Sequence, residues 1–384
     1  MNAMKDWAYR NLKGDPVIWF IVLILSLFSI LVVYSATGRL AYKMMGGNTE
    51  YYLIKHSLLV TISLSVIWIA HRIDYRYYSK LSRLVLWISV PLLIFAWLFG
   101  TEKNEASRWL TIPLINQSFQ PSDLAKLALI VTLASMLSKR QKSIDDFQKA
   151  IVPMLFWIGL ICGLIALTNF SSAVLLFLAC MLILFIGRVP LTYLVMLVLI
   201  FAAFGSVAFI VGQRGETAIS RVEDFIEGDT PYQARQAYVA IASGGVLGKG
   251  PGQSDQRNFL PYPYSDFIYA IILEEYGLVG GVIVLFLYLA LLYRGTKAAE
   301  DNNGTYGGLL SAGLSFALVI QALVNMGVAV GLGPVTGLTL PFISMGGTSQ
   351  LFAGVSLGII LSVSRGEIDR FKGSVGNQYK KQRN

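Results

Sequence analysis

"VIWFIVLILSLFSILVVYS", residues 17–35, contains no charged side chain. As a helix rising 1.5 Å per residue it covers about 28 Å, close to the roughly 30 Å hydrocarbon core of a bilayer. Comparable apolar runs follow at 53–70, 84–100, 121–138, 151–168, 171–187, 190–212, 265–293, 309–332 and 346–364. Together they predict an all-α polytopic membrane protein with ten transmembrane helices. The composition agrees. Of 384 residues, 55% are hydrophobic and 14% charged, against about 25% charged in soluble domains, and the mean hydropathy is +0.61.

Ten crossings put both termini on one side, and the cations choose which. With the N-terminus cytoplasmic, 20 of the 31 Lys and Arg residues fall on inside segments. Basic residues favour the cytoplasmic side, so the topology is N-in, C-in. The net charge of +9 then needs no nucleic-acid partner. The chain divides into a cytoplasmic N-terminal segment (1–16), a ten-helix membrane domain (17–365) and a basic, flexible cytoplasmic tail (366–384) suited to touching anionic lipid. The first run exceeds a signal-peptide core and is expected to stay as an anchor. Connections are short except 213–264, a large extracytoplasmic loop between helices 7 and 8. It lacks low-complexity sequence, so a functional loop is expected. Cys162 and Cys180 lie in apolar runs and read as buried small hydrophobes. His56 and His71 read as interfacial residues.

Charged groups inside spans cost at least about 2.5–3.5 kcal/mol, so their positions are informative. In "RWLTIPLINQSFQPSDLAKLALI" (108–130), Pro121 suits the first turn of a helix, after Gln120 and before Ser122. Asp123 and Lys126 are helical neighbours. The helix start with Lys126 and Arg108 can receive a phosphate; a self-neutralising Asp123–Lys126 pair is the other reading. In "GPGQSDQRNFLPYPYSDFIYAIILEE" (250–275), Ser265 is expected to cap the next helix, with Asp266 in its first turn and Glu274 and Glu275 about 12 Å further along, near the membrane boundary. Simple capping and dipole stabilisation is the plainer account of Asp266. In "NMGVAVGLGPVTGLTLPFISMGGTSQ" (325–350), Ser344, Gly346 and Gly347 open the last span. Three outward-facing helix starts, at 121, 265 and 346, thus carry polar clusters. A ligand reaching all three is anionic, lipid-embedded and on the outer face, which fits a lipid-linked pyrophosphate.

The chain resembles the SEDS family (shape, elongation, division and sporulation), the polytopic peptidoglycan glycosyltransferases. The resemblance rests on three ordered motifs, "GGVLGKGPGQSDQRNFLPYPYSDFIYAIILEEYGLVG", "RWL…QPSDLAKL" and "GLTLPFISMGGTS", and spans about 17–365. The loop "GQSDQRNFLP" is closer to the division member than to the elongation member. The resemblance implies a polymerase of lipid II, with undecaprenyl-pyrophosphate-linked glycan as donor. It also implies a class B penicillin-binding protein as transpeptidase partner, divisome proteins, and a place in the bacterial cytoplasmic membrane at the septum. It makes Asp266 the candidate base. Lys126, Arg108, Lys249 and Arg257 become candidate pyrophosphate cations. Trp109, Gln120, Ser122, Asp123, Gln256, Glu274, Glu275, Ser344, Gly346 and Gly347 are further candidate substrate contacts. No residue cluster demands a metal, although a divalent cation (Mg or Mn) bridging Asp and phosphate would be compatible. In "TNFSSA" (168–173), Asn169 stands where many members carry an acid, so no catalytic role is expected there. The competing readings are an elongation-type polymerase and a lipid II flippase, which would need no base. A recruiting scaffold would leave Asp266 and Lys126 unexplained.

Overall fold

Helices occupy all ten apolar runs. The computed structural model describes residues 11–103, 106–112, 117–211, 215–227 and 230–381. α1 (Pro16–Ala36) starts where Asp15 accepts the Val17 N–H at 2.8 Å and proline fills the first position, the arrangement that relieves unpaired N–H groups at a helix start. A short α2 (Gly38–Met45) follows. α3 (Thr49–Arg72) is capped by Asn48, and α4 (Tyr75–Phe99) by Asp74. That second cap starts α4 nine residues before the apolar run. After α4 come α5 (Pro121–Arg140), α6 (Val152–Ala166), α7 (Phe170–Ile186) and α8 (Leu191–Val211). The last three are α11 (Ile268–Glu300), α12 (Thr305–Ala329) and α13 (Thr348–Lys381). Seven helical segments among the described residues are long and apolar enough to cross a membrane, and Phe170–Ile186 and Leu191–Ala203 are shorter apolar helices.

Three expectations are corrected. The protein is not wholly helical: between α4 and α5 the chain forms β1 (Thr101–Lys103), β2 (Ala106–Ile112) and β3 (Gln117–Phe119), an antiparallel sheet in the order β1-β2-β3. Leu110 pairs with Phe119 and Ile112 with Gln117, so the β2–β3 hairpin delivers the chain to Pro121. The Trp, Thr and Ile of the stretch suit a pleated surface. Segment 213–264 is not an irregular loop. It holds α9 (Gly215–Glu227) and α10 (Tyr232–Gly244); Ala234, Ala237, Ala240 and Gly244 form a buried small-residue stripe by which α10 lies against α11. The tail is not irregular either, since α13 continues to Lys381. The first ten residues lie outside the described ones.

α12 is central, touching α5, α7, α11 and α13, and its buried Gly307, Gly313, Ser311 and Ser315 permit close helix approach. Cys162 and Cys180 are buried, as expected. His56 and His71, expected as interfacial residues, are each 1% exposed within the protein. His56 lies 2.8 Å from Ser29 Oγ, and His71 Nε2 lies 3.1 Å from the Asn11 carbonyl; burial is possible because a distant segment of the same chain supplies each ring a partner.

Candidate active site

Asp266 does not stand in a helix. α11 begins at Ile268 with Phe267 as its cap residue, so Ser265 is not the cap expected from the sequence. Instead Ser265 Oγ donates to Asp266 Oδ1 at 2.8 Å. The turn ahead of α11 is held by three consecutive carbonyls. Tyr264 O accepts from Met345 N at 2.9 Å, Ser265 O from Ser344 Oγ at 2.7 Å, and Asp266 O from Asn325 Nδ2 at 2.8 Å. The turn is thereby fastened to the 338–345 segment and to α12. Gly337, at φ +64°, passes so close that a Cβ there would lie 3.6 Å from Asp266 Oδ2.

The Asp266 carboxylate opens on a cleft of about 500 Å³. α5 contributes Asp123 and Lys126, with Gln120 just before it, and β2 contributes Trp109. Across the cleft stand Asn169, Ser172, Gln321 and Ser349. Lys126 Nζ donates to Asp123 Oδ1 at 3.1 Å; Asp123 Oδ2 is buried with no hydrogen-bond partner. Three helices start at this cleft: α5 after Gln120, α7 after its cap Asn169, and α13, whose second residue is Ser349. Their N-terminal ends bring partial positive charge toward it. Tyr264, beside the turn, is pushed up to about 12, mainly by burial and then by Tyr262, Tyr52 and Asp266. It stays neutral at ordinary pH.

Below the polar cleft lies an apolar groove of about 680 Å³. The two share Asp123, Lys126, Ser172, Gln321, Leu338 and Ser349. Four helices change character in step: Lys126 gives way to Leu127 and Ile130, Ser172 to Leu175 and Leu176, Gln321 to Leu318 and Leu314, and Ser349 to Phe352 and Ala353. The result is a charged mouth continuous with a greasy channel.

The structure gathers Asp266, Lys126, Asp123, Trp109 and Gln120 in the cleft. Ser122 is buried beside it and accepts from Gln120 Nε2 at 2.8 Å. The side chain of Arg108 lies outside the described residues. Glu274, Glu275, Lys249, Gln256 and Arg257 form a separate cluster, and none of them lines the cleft. Glu274 and Glu275 are buried in the protein, 0% and 1% exposed. Glu274 accepts from Lys249 Nζ at 2.8 Å, Ser254 Oγ at 2.5 Å and the Asp255 N–H at 3.1 Å. Glu275 accepts from Ser254 N at 3.3 Å and from the Ser35 hydroxyl, which also meets Arg257. These carboxylates hold the loop. The reason is a break at Gly277, φ +66° and ψ −170°. There the carbonyls of Glu274 and Glu275 accept from Lys249 N and Gly250 N, and Leu278 N and Val279 N donate to Gly245 and Val246. Ser344, 2% exposed, is engaged with Leu340 N and Ser265. Gly346 and Gly347 do not line the cleft, where Ser349 does. Asn169, set aside in the sequence, lines it, as do Ser172 and Gln321. A Gln inside an apolar run and an Asn between two of them were the available signals.

Among the described residues no group of three His, Cys, Asp or Glu is placed to hold a metal ion.

The fold and cleft define a class: a multi-pass membrane protein with a polar site opening into an apolar groove. A family model described as "Cell cycle protein", of FtsW, RodA and SpoVE, matches residues 15–368, and the chain belongs to that family. It is 32% identical over 370 residues to stage V sporulation protein E of Bacillus subtilis, covering 93% of this chain and 98% of that one. It is 32% identical over 364 residues to a "Probable peptidoglycan glycosyltransferase FtsW" of Geobacter metallireducens, covering 92% and 95%. A solved structure described as "Structural coordination of polymerization and crosslinking by a peptidoglycan synthase complex" matches with a TM-score of 0.72 at 24% identity, over 92% of this chain and 98% of the other, an agreement of fold.

Proposed function

We propose that this protein is a peptidoglycan glycosyltransferase that extends glycan strands from lipid II on the outer face of the cytoplasmic membrane. The observation carrying the reading is the charged mouth, with Asp266 and Lys126, continuous with the apolar groove. A polyprenyl pyrophosphate bearing a sugar has that same order of parts: glycan, anion, hydrocarbon. On a reading of ten crossings with both termini inside, the mouth faces outward, a sidedness that the charge distribution supports.

In the reaction the acceptor is the 4-hydroxyl of the lipid II GlcNAc. Asp266 takes its proton, the oxygen bonds to the anomeric carbon of the donor glycan, and the bond to undecaprenyl pyrophosphate breaks. Pyrophosphate is a stable leaving group, so one carboxylate suffices where ordinary glycoside hydrolysis uses two. Lys126 and the N–H groups at the starts of α5, α7 and α13 stabilise the departing charge. No step is routed through a metal. Tyr264, held neutral, is no competitor for the base role. Trp109 offers a face for sugar or lipid.

The named relatives, an FtsW and a sporulation protein, support a role in septal synthesis over elongation. A class B penicillin-binding protein is the expected transpeptidase partner, within the divisome. The test is purified protein with lipid II, with and without that partner, assayed for glycan polymer. Long glycan is expected. Transfer of lipid II between leaflets without polymer would favour the flippase instead.

A further inference from the structure

Asn325 lies on α12, 2% exposed, in an apolar stretch. Its Nδ2 donates to the carbonyl of Asp266 at 2.8 Å and to the carbonyl of Leu338 at 2.6 Å. A carboxamide nitrogen has two N–H bonds, and both are engaged. Both neighbours are acceptors, which fixes the amide orientation. Its Oδ1 is buried without a partner, so the side chain is kept for its donors.

The two carbonyls belong to two separate segments that meet at the cleft wall: Asp266 on the turn before α11, and Leu338 on the segment following α12, where Gly337 and Thr339 also line the cleft. One helical turn earlier on α12, Gln321 Nε2 donates to the Thr339 carbonyl at 2.9 Å. Residues four apart share a helix face, so α12 presents two amides to the same wall. Of these two amides, Asn325 reaches the Asp266 carbonyl as well. Asp266 has no helical backbone to place it, and its Cα position depends on such tethers.

We propose that Asn325 is a positioning residue of the glycosyl transfer, tying the Asp266 turn to the 337–339 segment through one carboxamide that donates to both. The inference rests on Asp266 being the base, and it acts through Asp266 rather than on substrate. Loss of the two donors frees the turn while leaving the α12 packing in place. The base then stands off its line of attack, and a displacement of about 1 Å can cost on the order of 10²-fold in rate.

The test uses the full-length protein in lipid nanodiscs, as wild type, Asn325→Leu (similar size, no donor) and Asn325→Gln (both donors on a longer arm). Hydrogen exchange of the 262–268 amides is measured beside lipid II polymerisation. In Asn325→Leu these amides are expected to exchange about tenfold faster, as for the loss of one or two hydrogen bonds, with exchange across α5 and α13 unchanged. The kcat is expected to fall about 10- to 100-fold with KM within twofold, and Asn325→Gln to recover part of both. Exchange at 262–268 equal to wild type, or faster exchange with wild-type kcat, overturns the proposal. A loss appearing in KM alone overturns it too. A wild type that makes no polymer defeats the functional reading instead, and the exchange data then decide whether the tether exists.

Discussion

Lys126 and Asp123 are joined at 3.1 Å through one carboxylate oxygen, and the other oxygen, Asp123 Oδ2, is buried with no partner. A pair serving only mutual neutralisation at the head of α5 would leave polymerisation largely intact when both are made neutral together. We expect otherwise. Lys126→Met should lower lipid II use even beside Asp123→Asn, by roughly 10²-fold, the order seen when one donor to a developing anion is lost. Initial rates of the single and double variants check this, and an active double variant reduces the pair to structure.

Asp266→Asn keeps the shape and the Ser265 contact but removes the base. Polymerisation should fall about 10²–10⁴-fold, with melting temperature and membrane insertion unchanged. Asp255→Asn, on a residue that meets Lys249 at 3.0 Å away from the cleft, should leave the rate within a few-fold. Near wild-type glycan from Asp266→Asn would remove the catalytic assignment.

Filling the groove should discriminate by lipid. Ala317 faces it from α12. Ala317→Phe is expected to raise KM for the undecaprenyl substrate by about tenfold, and to matter little for a short-chain analogue that buries fewer methylenes, each worth about 0.8 kcal/mol. Equal effects on both lipids would argue that the chain does not enter there.

Glu274 is the hub of the second cluster. Glu274→Gln should cost roughly 2 kcal/mol of stability, as for hydrogen bonds to a charged group, with the thermal transition as readout. Its Lys249 partner gives a pH sign. Glu274 holds the lysine above its ordinary value, against the opposing pull of burial, and Asp255 adds to the effect. A raised folded value means the contribution is complete below the unfolded lysine value of about 10.4 and is lost as pH rises through the folded one. The transition temperature should therefore hold through neutral pH and fall only in strong alkali, and Lys249→Met should remove that alkaline component.

Sidedness is checked with single cysteines. Gln253 is exposed in the loop before α11, and Lys142 is exposed after α5. In intact cells, Gln253→Cys should react with an impermeant thiol reagent and Lys142→Cys should not. The reverse pattern would place the cleft on the wrong face for polymerisation.

The membrane helices were legible in the sequence because a bilayer demands long uncharged runs, and every such run became a helix. Asp266, Lys126 and Asp123 were legible because charge in an apolar setting needs a reason. The rest was hidden for identifiable causes. Glu274 and Glu275 have the same composition signal as Asp266, and only the break at Gly277 decides that they face the loop. Asn325 and Gln321 are uncharged and easily passed over, although amides four apart in an apolar run are unusual company. Asn169 was discounted because its chemistry differs from the relatives' acid, while its capping geometry still brings it to the cleft. β1–β3 carry too few residues to show a period.

The break at Gly277 also bears on biogenesis. Four peptide groups around it, the carbonyls of Glu274 and Glu275 and the N–H groups of Leu278 and Val279, are satisfied by 245–250 rather than by their own helix. In lipid each bare peptide group costs several kcal/mol. The helix is thus completed by a splint from the preceding stretch of chain, which leaves the ribosome first. A chain carrying a flexible linker in place of 245–250 would insert with this joint open and these four peptide groups unpaired.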